Sequence, residues 1–467
     1  MHYDIITPNM EETIGKHDSE SIQNAVNLAH ITGVNSVTIP RINKRTGEKI
    51  WNIEKAIILP SNMEIILDNC HLRQADGIYD NIFRNFEDID REGHTIAEQM
   101  SNIVIRGRGN AVLDGGESNG ITAINYHKQG LPHITKNNLI VLYNIRDFVI
   151  EKFEMRNQRF WAVNLVFAQR GRLSELYIDG ECDRRNQDGI DIRVGCSDII
   201  IEKITGQAGD DLIALSAINA DERACGAIYM VHGQSQDIHD IIIRDVIGTS
   251  VECAVIALRN SDGIKIYNVT MDNIHCTDNY AQDDGKIFPD YPKFKLAKKH
   301  LLHRCRVGNT PYALIRMGHK SYFKDRPGTI GELYNIHATN LHAYTGCVVM
   351  ANVAMDNCYF GNIYAENNVD YILTTKAGRA TATFGADIKN VVFENIFYTN
   401  VDNDFATAFD LDENLQEHEI ENLIIRHAFL GNCKNIFNMK HNGEVEYEDI
   451  RGNYVESRSG TVRKNND

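Results

Sequence analysis

The chain has 467 residues, of which 43% are hydrophobic and 24% are charged, which is the composition of an ordinary folded protein with enough apolar material for a core. The formal net charge of −16 excludes a general affinity for nucleic acids or anionic membranes, because both require a basic surface. A local basic patch remains compatible with an acidic glycan. We therefore expect no nucleic-acid or membrane partner and leave monomer or homo-oligomer open.

The N-terminal segment predicts no secretory signal, since MHYDIITPNMEETIGKHD lacks a basic region followed by an apolar run. No stretch approaches the roughly 18 consecutive apolar residues of a membrane span. The ten cysteines occur singly, without a CxxC pair, which indicates buried thiols in a reducing compartment and neither disulfides nor a zinc site. We expect a cytoplasmic protein. Secretion with a removed leader stays open, because such a chain would look the same.

The first predicted element is a helix over residues 18–32, which follows an N-terminal extension of residues 1–16. Asp18 or Ser19 is the expected N-cap. The positions that share one apolar face are Ile22, Ala25, Val26 and Ala29.

Beyond this helix, a short apolar strand followed by a turn with Asn, Asp or Gly recurs along the chain. The copies end at Phe153, Ile178, Ile204, Val246, Val269, Ile336, Ile363, Ile396 and Ala428. The commonest step is about 25 residues, and no amphipathic helix separates the copies, which excludes a series of βαβ units. We predict an all-β fold over residues 17–455, a right-handed single-stranded parallel β-helix whose open first coil the helix caps. An antiparallel sandwich is the rival fold.

Two insertions interrupt the repeat, at about 216–237 and 280–310. The second is expected to be helical and carries a run of basic residues: Lys293, Lys295, Lys298, Lys299, Arg304 and Arg306. It is either a solvated helix face or a lid that offers cations to a carboxylated substrate. Residues 456–467 are expected to form a loose polar tail.

Three aspartates carry the candidate chemistry, in the segment NQDGIDIRVGCSDIIIEKITGQAGDDLIALSA at 186–217. Asp188 and Asp210 are 22 residues apart, close to one coil, so we expect them on neighbouring coils with Asp211 beside them. Such carboxylates repel one another, which raises the pKa of at least one. Glycoside hydrolysis needs that division, with one protonated acid and one ionised group. Turn chemistry is the alternative for a GDD sequence.

The motifs NQDGIDI and GDDLIAL resemble the NTDGxDI and DDCIAI motifs of polygalacturonase-like enzymes, glycoside hydrolase family 28. Upstream, NIVIRGRGNAVLDGG at 102–116 resembles an early coil of that family. The resemblance implies that Asp210 is the general acid and that Asp188 and Asp211 activate the water of an inverting displacement. Asn186 would orient this cluster.

Two further family motifs are altered. The GHG motif falls in GTSVECAVIAL, where Glu252 and Cys253 stand in place of His and Gly. Arg316 takes the place of the arginine of the RIK motif, and Gly318 that of its lysine. The resemblance therefore gives as substrate-binding candidates Asn186, Glu252, Arg316, His319 and Lys320. An exposed turn Glu252 and a structural salt bridge of Arg316 are the alternatives.

No metal site or cofactor is expected. GRGNAV at 107–112 lacks the third glycine of a dinucleotide fingerprint, and the chain has no HExxH sequence. His232 in the first insertion is either a site residue or a solvated loop histidine. Trp161 is expected in the core, with stacking on sugar rings as its other reading.

The predicted function is hydrolysis of a glycosidic bond in an acidic, pectin-type oligosaccharide, galacturonate or rhamnogalacturonan-like, by an exo-acting inverting enzyme. The missing histidine makes ordinary polygalacturonate an unfavoured substrate. Two alternatives stay open. One is a polysaccharide lyase that uses an acidic cluster to hold Ca²⁺, and the other is a non-catalytic glycan-binding or structural β-helix protein.

Overall fold

The computed structural model describes residues 4–87, 98–121, 134–180, 186–218, 231, 233–250, 253–276, 313–318, 328–375, 386–399, 406–411, 419–439, 442–453 and 458–464. The chain groups into two compact units. Unit 1 consists of Met1–Gly209 and Ala220–Ser235, and unit 2 of Asp210–Asn219 and Gln236–Asp467. No helix in these described ranges is long and apolar enough to cross a membrane.

Unit 1 contains one α-helix, a short 3-10 helix and twelve strands in its described part. Their bounds are α1 Asp18–Thr32, β1 Ser36–Pro40, β2 Ile50–Ile53, β3 Ile57–Ile58, β4 Met63–Asp68, β5 His71–Gln74, β6 Phe83–Arg84, β7 Met100–Arg108, β8 Val112–Asp114, the 3-10 helix Ile134–Asn137, β9 Ile140–Arg156, β10 Val163–Asp179, β11 Ile190–Arg193 and β12 Ser197–Ala208.

Unit 2 contains thirteen strands in its described part. They are β13 Ile213–Ala217, β14 Ile238–Ser250, β15 Ala254–Asn260, β16 Ile266–Cys276, β17 Ala313–Met317, β18 Leu333–Ala351, β19 Met355–Thr374, β20 Ile388–Tyr398, β21 Ala406–Leu411, β22 Glu419–Leu430, β23 Cys433–Met439, β24 Asn442–Arg451 and β25 Arg458–Lys464. Within each unit the registered strand pairs are parallel, except for β24 with β25. The predicted right-handed parallel β-helix is confirmed as the fold class.

The core is built from rows of like side chains, one from each coil. In unit 1 one such row is Ile65, Ile105, Ile150, Leu173 and Ile201, each in register with the next and fully buried. In unit 2 a corresponding row runs through Ile241, Val269, Ile336, Cys358, Val391, Leu423 and Val445. Parallel strands lie about 4.8 Å apart, so equivalent side chains of successive coils contact one another directly.

The repeated motif of the sequence covers two of these rows. Val246, Ile363, Ile396 and Ala428 belong to a row that also contains Ile274 and Leu341. Val269 and Ile336 belong to the neighbouring row, five residues earlier on the coil. In unit 1, Phe153 pairs with Leu176 and not with Ile178, so the copy of the motif that ends at Ile178 is two residues out of register with the copy that ends at Phe153. Sequence alone could not separate the rows, because both have an apolar residue followed by a polar turn residue.

Asparagines with a left-handed backbone form the corners of the coils. Asn340, Asn362 and Asn395 have φ angles of 54°, 52° and 56°. Asn362 Nδ2 donates to Asn340 Oδ1 at 3.2 Å, and Asn395 Nδ2 donates to Asn362 Oδ1 at 3.2 Å. Asn adopts this conformation more readily than other residues with a Cβ atom, because its short side chain bonds locally. At these corners, the Asn-containing turns predicted after the apolar strands stack into a ladder of hydrogen-bonded asparagine side chains.

Helix α1 spans the predicted residues and buries the predicted apolar face against the first strands of unit 1. The predicted N-cap is wrong. His17 is the N-cap, without a side-chain bond, since Asp18 and Ser19 have other partners. Asp18 is buried, accepts hydrogen bonds from Asn43 Nδ2 at 2.6 Å and the Asn52 amide at 2.8 Å, and pairs with Arg45. The Asp18 side chain, which the local sequence pattern predicts as the N-cap, therefore bonds to residues distant in sequence instead.

The predicted loose tail is also wrong for residues 458–464. They form β25, which pairs antiparallel with β24 and so covers the open edge of that strand. An edge strand offers unpaired N–H and C=O groups, which favour such an addition. Residues 216–218 of the first predicted insertion continue from β13, while most of the remainder and all of 280–310 lie outside the described residues.

We expect Asn362→Ala to lower the free energy of unfolding more than Asn362→Gly does. Both variants lose the amide ladder bonds, but only alanine pays the cost of a left-handed backbone, about 1–2 kcal/mol. The greater unfolded-state entropy of glycine reduces the difference to roughly 1 kcal/mol. Urea denaturation of the two variants measures it, and a glycine variant less stable than the alanine variant would contradict the corner role.

Candidate active site

In unit 2 a candidate site lies at the start of three stacked strands, β13, β15 and β17. Ile213 is in register with Ile256, and Ile256 with Ile315, so these strands are successive coils. Asp210 and Asp211 come just before β13, and Cys253 comes directly before β15. The GDD segment and the altered GHG segment are therefore on adjacent coils.

Asp211 is a fully buried carboxylate whose two oxygens are both engaged. Oδ1 accepts the amide N–H of Ala254 at 3.1 Å, and Oδ2 forms an ion pair with Nη2 of Arg259. Arg259 extends from β15 and is itself 13% exposed at its side chain. A hydrogen bond and a cation both favour the ionised form of a carboxyl group. The surroundings thus hold Asp211 as a carboxylate.

Asp210 is fixed through its backbone and leaves its carboxyl group more accessible. Its carbonyl oxygen accepts the Ser250 hydroxyl at 2.5 Å, and the same hydroxyl oxygen accepts the Cys253 amide at 3.0 Å. The side chain is 14% exposed, and its Oδ1 lies 4.0 Å from Nη2 of Arg259. Of this pair of aspartates, Asp210 has the more exposed side chain.

Arg316 lies on β17, in register with Ala257 of β15. It is 3% exposed, and its Nη1 donates to Cys253 Sγ at 2.7 Å. A second cation therefore stands next to the cluster, beyond the thiol. The prediction that Arg316 binds a sugar carboxylate stays a prediction, and the thiol contact is the partner that the structure gives it.

Donor atoms of Asp210, Asp211 and Cys253 lie within 4.8 Å of one another. Hard cations such as Ca²⁺ and Mg²⁺ prefer six or more oxygen ligands, and a thiol is a poor substitute. Arg259 already supplies positive charge to both carboxylates. The cluster is therefore a carboxylate pair that shares one arginine, an arrangement that disfavours Ca²⁺ and Mg²⁺.

In unit 1 the candidate residues Asn186 and Asp188 lie just before β11. Asn186 has a left-handed backbone with φ 57°, which turns the chain into the strand. Asp188 is 2% exposed, and its carbonyl oxygen accepts the Ala162 amide at 3.1 Å and Gln158 Nε2 at 3.2 Å. These bonds hold the segment that leads into β11 against the neighbouring coil. That Asp188 and Asp210 face one another on neighbouring coils stays a prediction.

Several candidates lie outside the described residues, namely Glu252, His319, Lys320 and His232. Trp161 is buried with Phe160 and Ile121, as expected for a core residue. Sequence reasoning missed Arg259. Its signal was an arginine ending the apolar run AVIAL one coil after GDD, which stands out only once the register of β13 and β15 is known.

The profile of the glycosyl hydrolases family 28 matches residues 84–235. The resemblance inferred from the aspartate motifs is confirmed over this segment, and all three aspartates lie inside it. Cys253, Arg259 and Arg316 lie beyond it. The similarity to the family therefore covers the segment that contains the three aspartates.

The fold is similar to that of several solved structures. A tailspike protein mutant of E. coli bacteriophage HK620 in complex with a pentasaccharide has 12% identity and a TM-score of 0.56, covering 91% of this chain and 71% of its own. A surface adhesin of Streptococcus pneumoniae has 10% identity and a TM-score of 0.52, covering 96% and 91%. An exopolygalacturonase of Thermotoga maritima has 13% identity and a TM-score of 0.47, covering 99% and 95%. No curated protein sequence matches the chain.

We expect Arg259→Met to reduce the free energy of unfolding by about 3–5 kcal/mol, because it leaves the buried Asp211 carboxylate without its cation. The double variant Arg259→Met, Asp211→Asn should recover part of this loss, since it removes the unpaired charge. Urea denaturation of the single and double variants measures both effects.

Lys389→Met provides the matched control, because Lys389 forms an exposed ion pair with Glu421 in the same unit. Such pairs contribute little, so no measurable change is expected. A double variant as unstable as Arg259→Met would show that the arginine acts through packing and not through Asp211.

Proposed function

We propose that the protein is a glycosidase that hydrolyses pectin-type oligosaccharides containing uronate residues. The observation that carries the proposal is the aspartate pair at the start of β13, where one carboxylate is buried and neutralised and the other is accessible. This asymmetry gives two carboxyl groups different environments, which is what acid and base roles require. The match of residues 84–235 to family 28 supports the same chemistry.

In the proposed mechanism Asp210 protonates the leaving glycosidic oxygen. Asp211 and Asp188 activate the water that attacks the anomeric carbon from the opposite face, with inversion. The ion pair of Asp211 with Arg259 supports its role, since a group held ionised is suited to act as a base. The stronger exposure of Asp210 supports its contact with the sugar. Asn186 orients the water-activating group.

The proposed substrate is short and acidic, and cleavage is exo-acting. Glu252, Arg316, His319 and Lys320 are the proposed binding residues, which differ from the family pattern at the His and Lys positions. The loss of these two groups favours rhamnogalacturonan-like fragments over plain polygalacturonate. We propose a cytoplasmic location, where only oligosaccharides small enough to be imported are available.

A lyase and a glycan-binding protein are the competing functions. The lyase reading needs a Ca²⁺ site, and the thiol and arginine beside Asp210 and Asp211 disfavour one. The binding reading is consistent with folds such as those of tailspikes and adhesins. Reducing-end release without ultraviolet-absorbing products, and without inhibition by chelators, separates hydrolysis from elimination. Tight binding without turnover would support the third function.

We expect Asp210→Asn to lower kcat by at least about 100-fold, because an amide cannot donate the proton to the leaving group. Release of reducing sugar from defined pectic oligosaccharides measures the effect. The fold should remain intact, as checked by circular dichroism.

Asp245→Asn is the matched control. Asp245 lies at a coil corner of the same unit and accepts a hydrogen bond from Asn273 Nδ2 at 2.7 Å. An asparagine is well tolerated there, so full activity is expected. If Asp210→Asn is as active as this control, Asp210 is not the acid.

A further inference from the structure

Arg193 is a buried cation of unit 1 that the proposed mechanism does not use. It ends β11, two residues after Asp191 and therefore on the same face of the strand. The side chain is 1% exposed. Its Nε, Nη1 and Nη2 atoms are all buried without a hydrogen-bond acceptor, and no carboxylate of the described residues forms an ion pair with it.

The surroundings of Arg193 compensate for only part of its burial. Its Cζ atom lies 5.2 Å from the centre of the Trp161 ring, whose position is fixed by stacking on Phe160 at 4.6 Å. Such a cation–π contact contributes about 2 kcal/mol when desolvated, whereas burying an unpaired ion costs several kcal/mol. The nearby Cys196 provides no countercharge, because burial raises the pKa of its thiol to about 12. Among the described residues, no anion is therefore in contact with the Arg193 guanidinium.

Trp161, which the Arg193 guanidinium contacts, lies next to the coil position of Asp188. The Ala162 amide donates to the Asp188 carbonyl at 3.1 Å, and the Val163 amide donates to the Gly189 carbonyl at 2.9 Å. Trp161 and Asp188 thus occupy equivalent positions on adjacent coils, about 4.8 Å apart along the ladder.

Two side-chain amides, on the coils of β9 and β10, also have atoms without hydrogen-bond partners among the described residues. Asn164 is in register with Asp191, and its Oδ1 is buried without a donor in the described structure. Asn138 directly precedes the coil of β9, and neither its Oδ1 nor its Nδ2 has a partner there. Buried polar atoms are normally satisfied, so this concentration of unsatisfied groups indicates a ligand with several oxygens.

We propose that Arg193 binds the carboxylate of a uronate residue, in a subsite beside Asp188 where Asn138 and Asn164 bind sugar hydroxyls. This inference rests on the proposed function, since it assigns the acidic sugar of that substrate to a place on unit 1. The planar guanidinium can hold a carboxylate through two parallel hydrogen bonds. Trp161 orients it, and the dry surroundings strengthen the pair.

The test compares a uronate-containing rhamnogalacturonan trisaccharide with its carboxyl-reduced counterpart, using Arg193→Met, Arg193→Lys and the wild-type protein. Methionine retains contact with Trp161 but removes the charge. We expect Arg193→Met to raise KM for the acidic trisaccharide roughly 10- to 100-fold, as for loss of a charge-assisted hydrogen bond, with kcat changed little. The reduced substrate should change less than about twofold. Lysine should restore part of the difference.

Arg159→Met is the matched control for burial. Arg159 is 2% exposed, but its guanidinium donates to the carbonyls of Ile78 at 2.7 Å and Ala75 at 3.1 Å. Its loss should lower the unfolding temperature and affect both substrates equally. Arg193→Met should leave the unfolding temperature unchanged or raise it. Equal effects of Arg193→Met on both trisaccharides would overturn the subsite.

Calorimetric binding separates this inference from the proposed function. If the wild-type protein binds the acidic rhamnogalacturonan trisaccharide and Arg193→Met weakens that binding selectively, the subsite stands even when no hydrolysis is observed, and the hydrolase proposal fails alone. If the wild-type protein binds the acidic and reduced trisaccharides equally, or binds neither, the subsite is refuted.

Discussion

The parallel register between successive coils is the constraint on which the rest of each unit depends. Each residue of a coil has an equivalent residue directly above or below it. Each side chain must therefore pack against, or hydrogen-bond to, the equivalent side chain of the next coil. Apolar positions become rows such as Ile65, Ile105 and Ile150, and corner positions become ladders such as Asn340, Asn362 and Asn395. The same stacking brings Asp211 next to Ala254, although 43 residues separate them.

Much of this organisation follows from the sequence, because one-coil repetition leaves a periodic signal. The capping helix, the strand repeat and the aspartate motifs are each local enough to be recognised. Interactions between coils are not. Asp18 does not cap its helix but bonds to partners 25 and 34 residues away. Residues 458–464 pair with β24, although their composition alone indicated a loose tail. The sequence did not indicate Arg259 for the same reason: it contacts Asp211 because their coils stack, and the two residues are far apart in the chain.

The arginine also changes the electrostatic description of the acidic cluster. The sequence predicted mutual repulsion of three carboxylates, with a raised pKa for at least one. Arg259 lies against both Asp210 and Asp211, so attraction to a shared cation opposes that repulsion. The difference between the two acids then comes from burial and hydrogen bonding: Asp211 is enclosed, whereas Asp210 retains some exposure. Arg193 of unit 1 forms no ion pair with a carboxylate of the described residues, which distinguishes its surroundings from those of Arg259.

The stacked corners also allow the segments between the strands to vary in length. Residues 277–312 come between β16 and β17, and residues 319–327 between β17 and β18, yet Ala254 remains in register with Ala313, and Ile266 with Leu333. A coil therefore tolerates additional chain between its strands without displacing its neighbours, because each coil is aligned by its own corners and core rows. Such connecting segments can therefore be exchanged as separate modules while the strands, and the aspartates that precede β13, keep their positions.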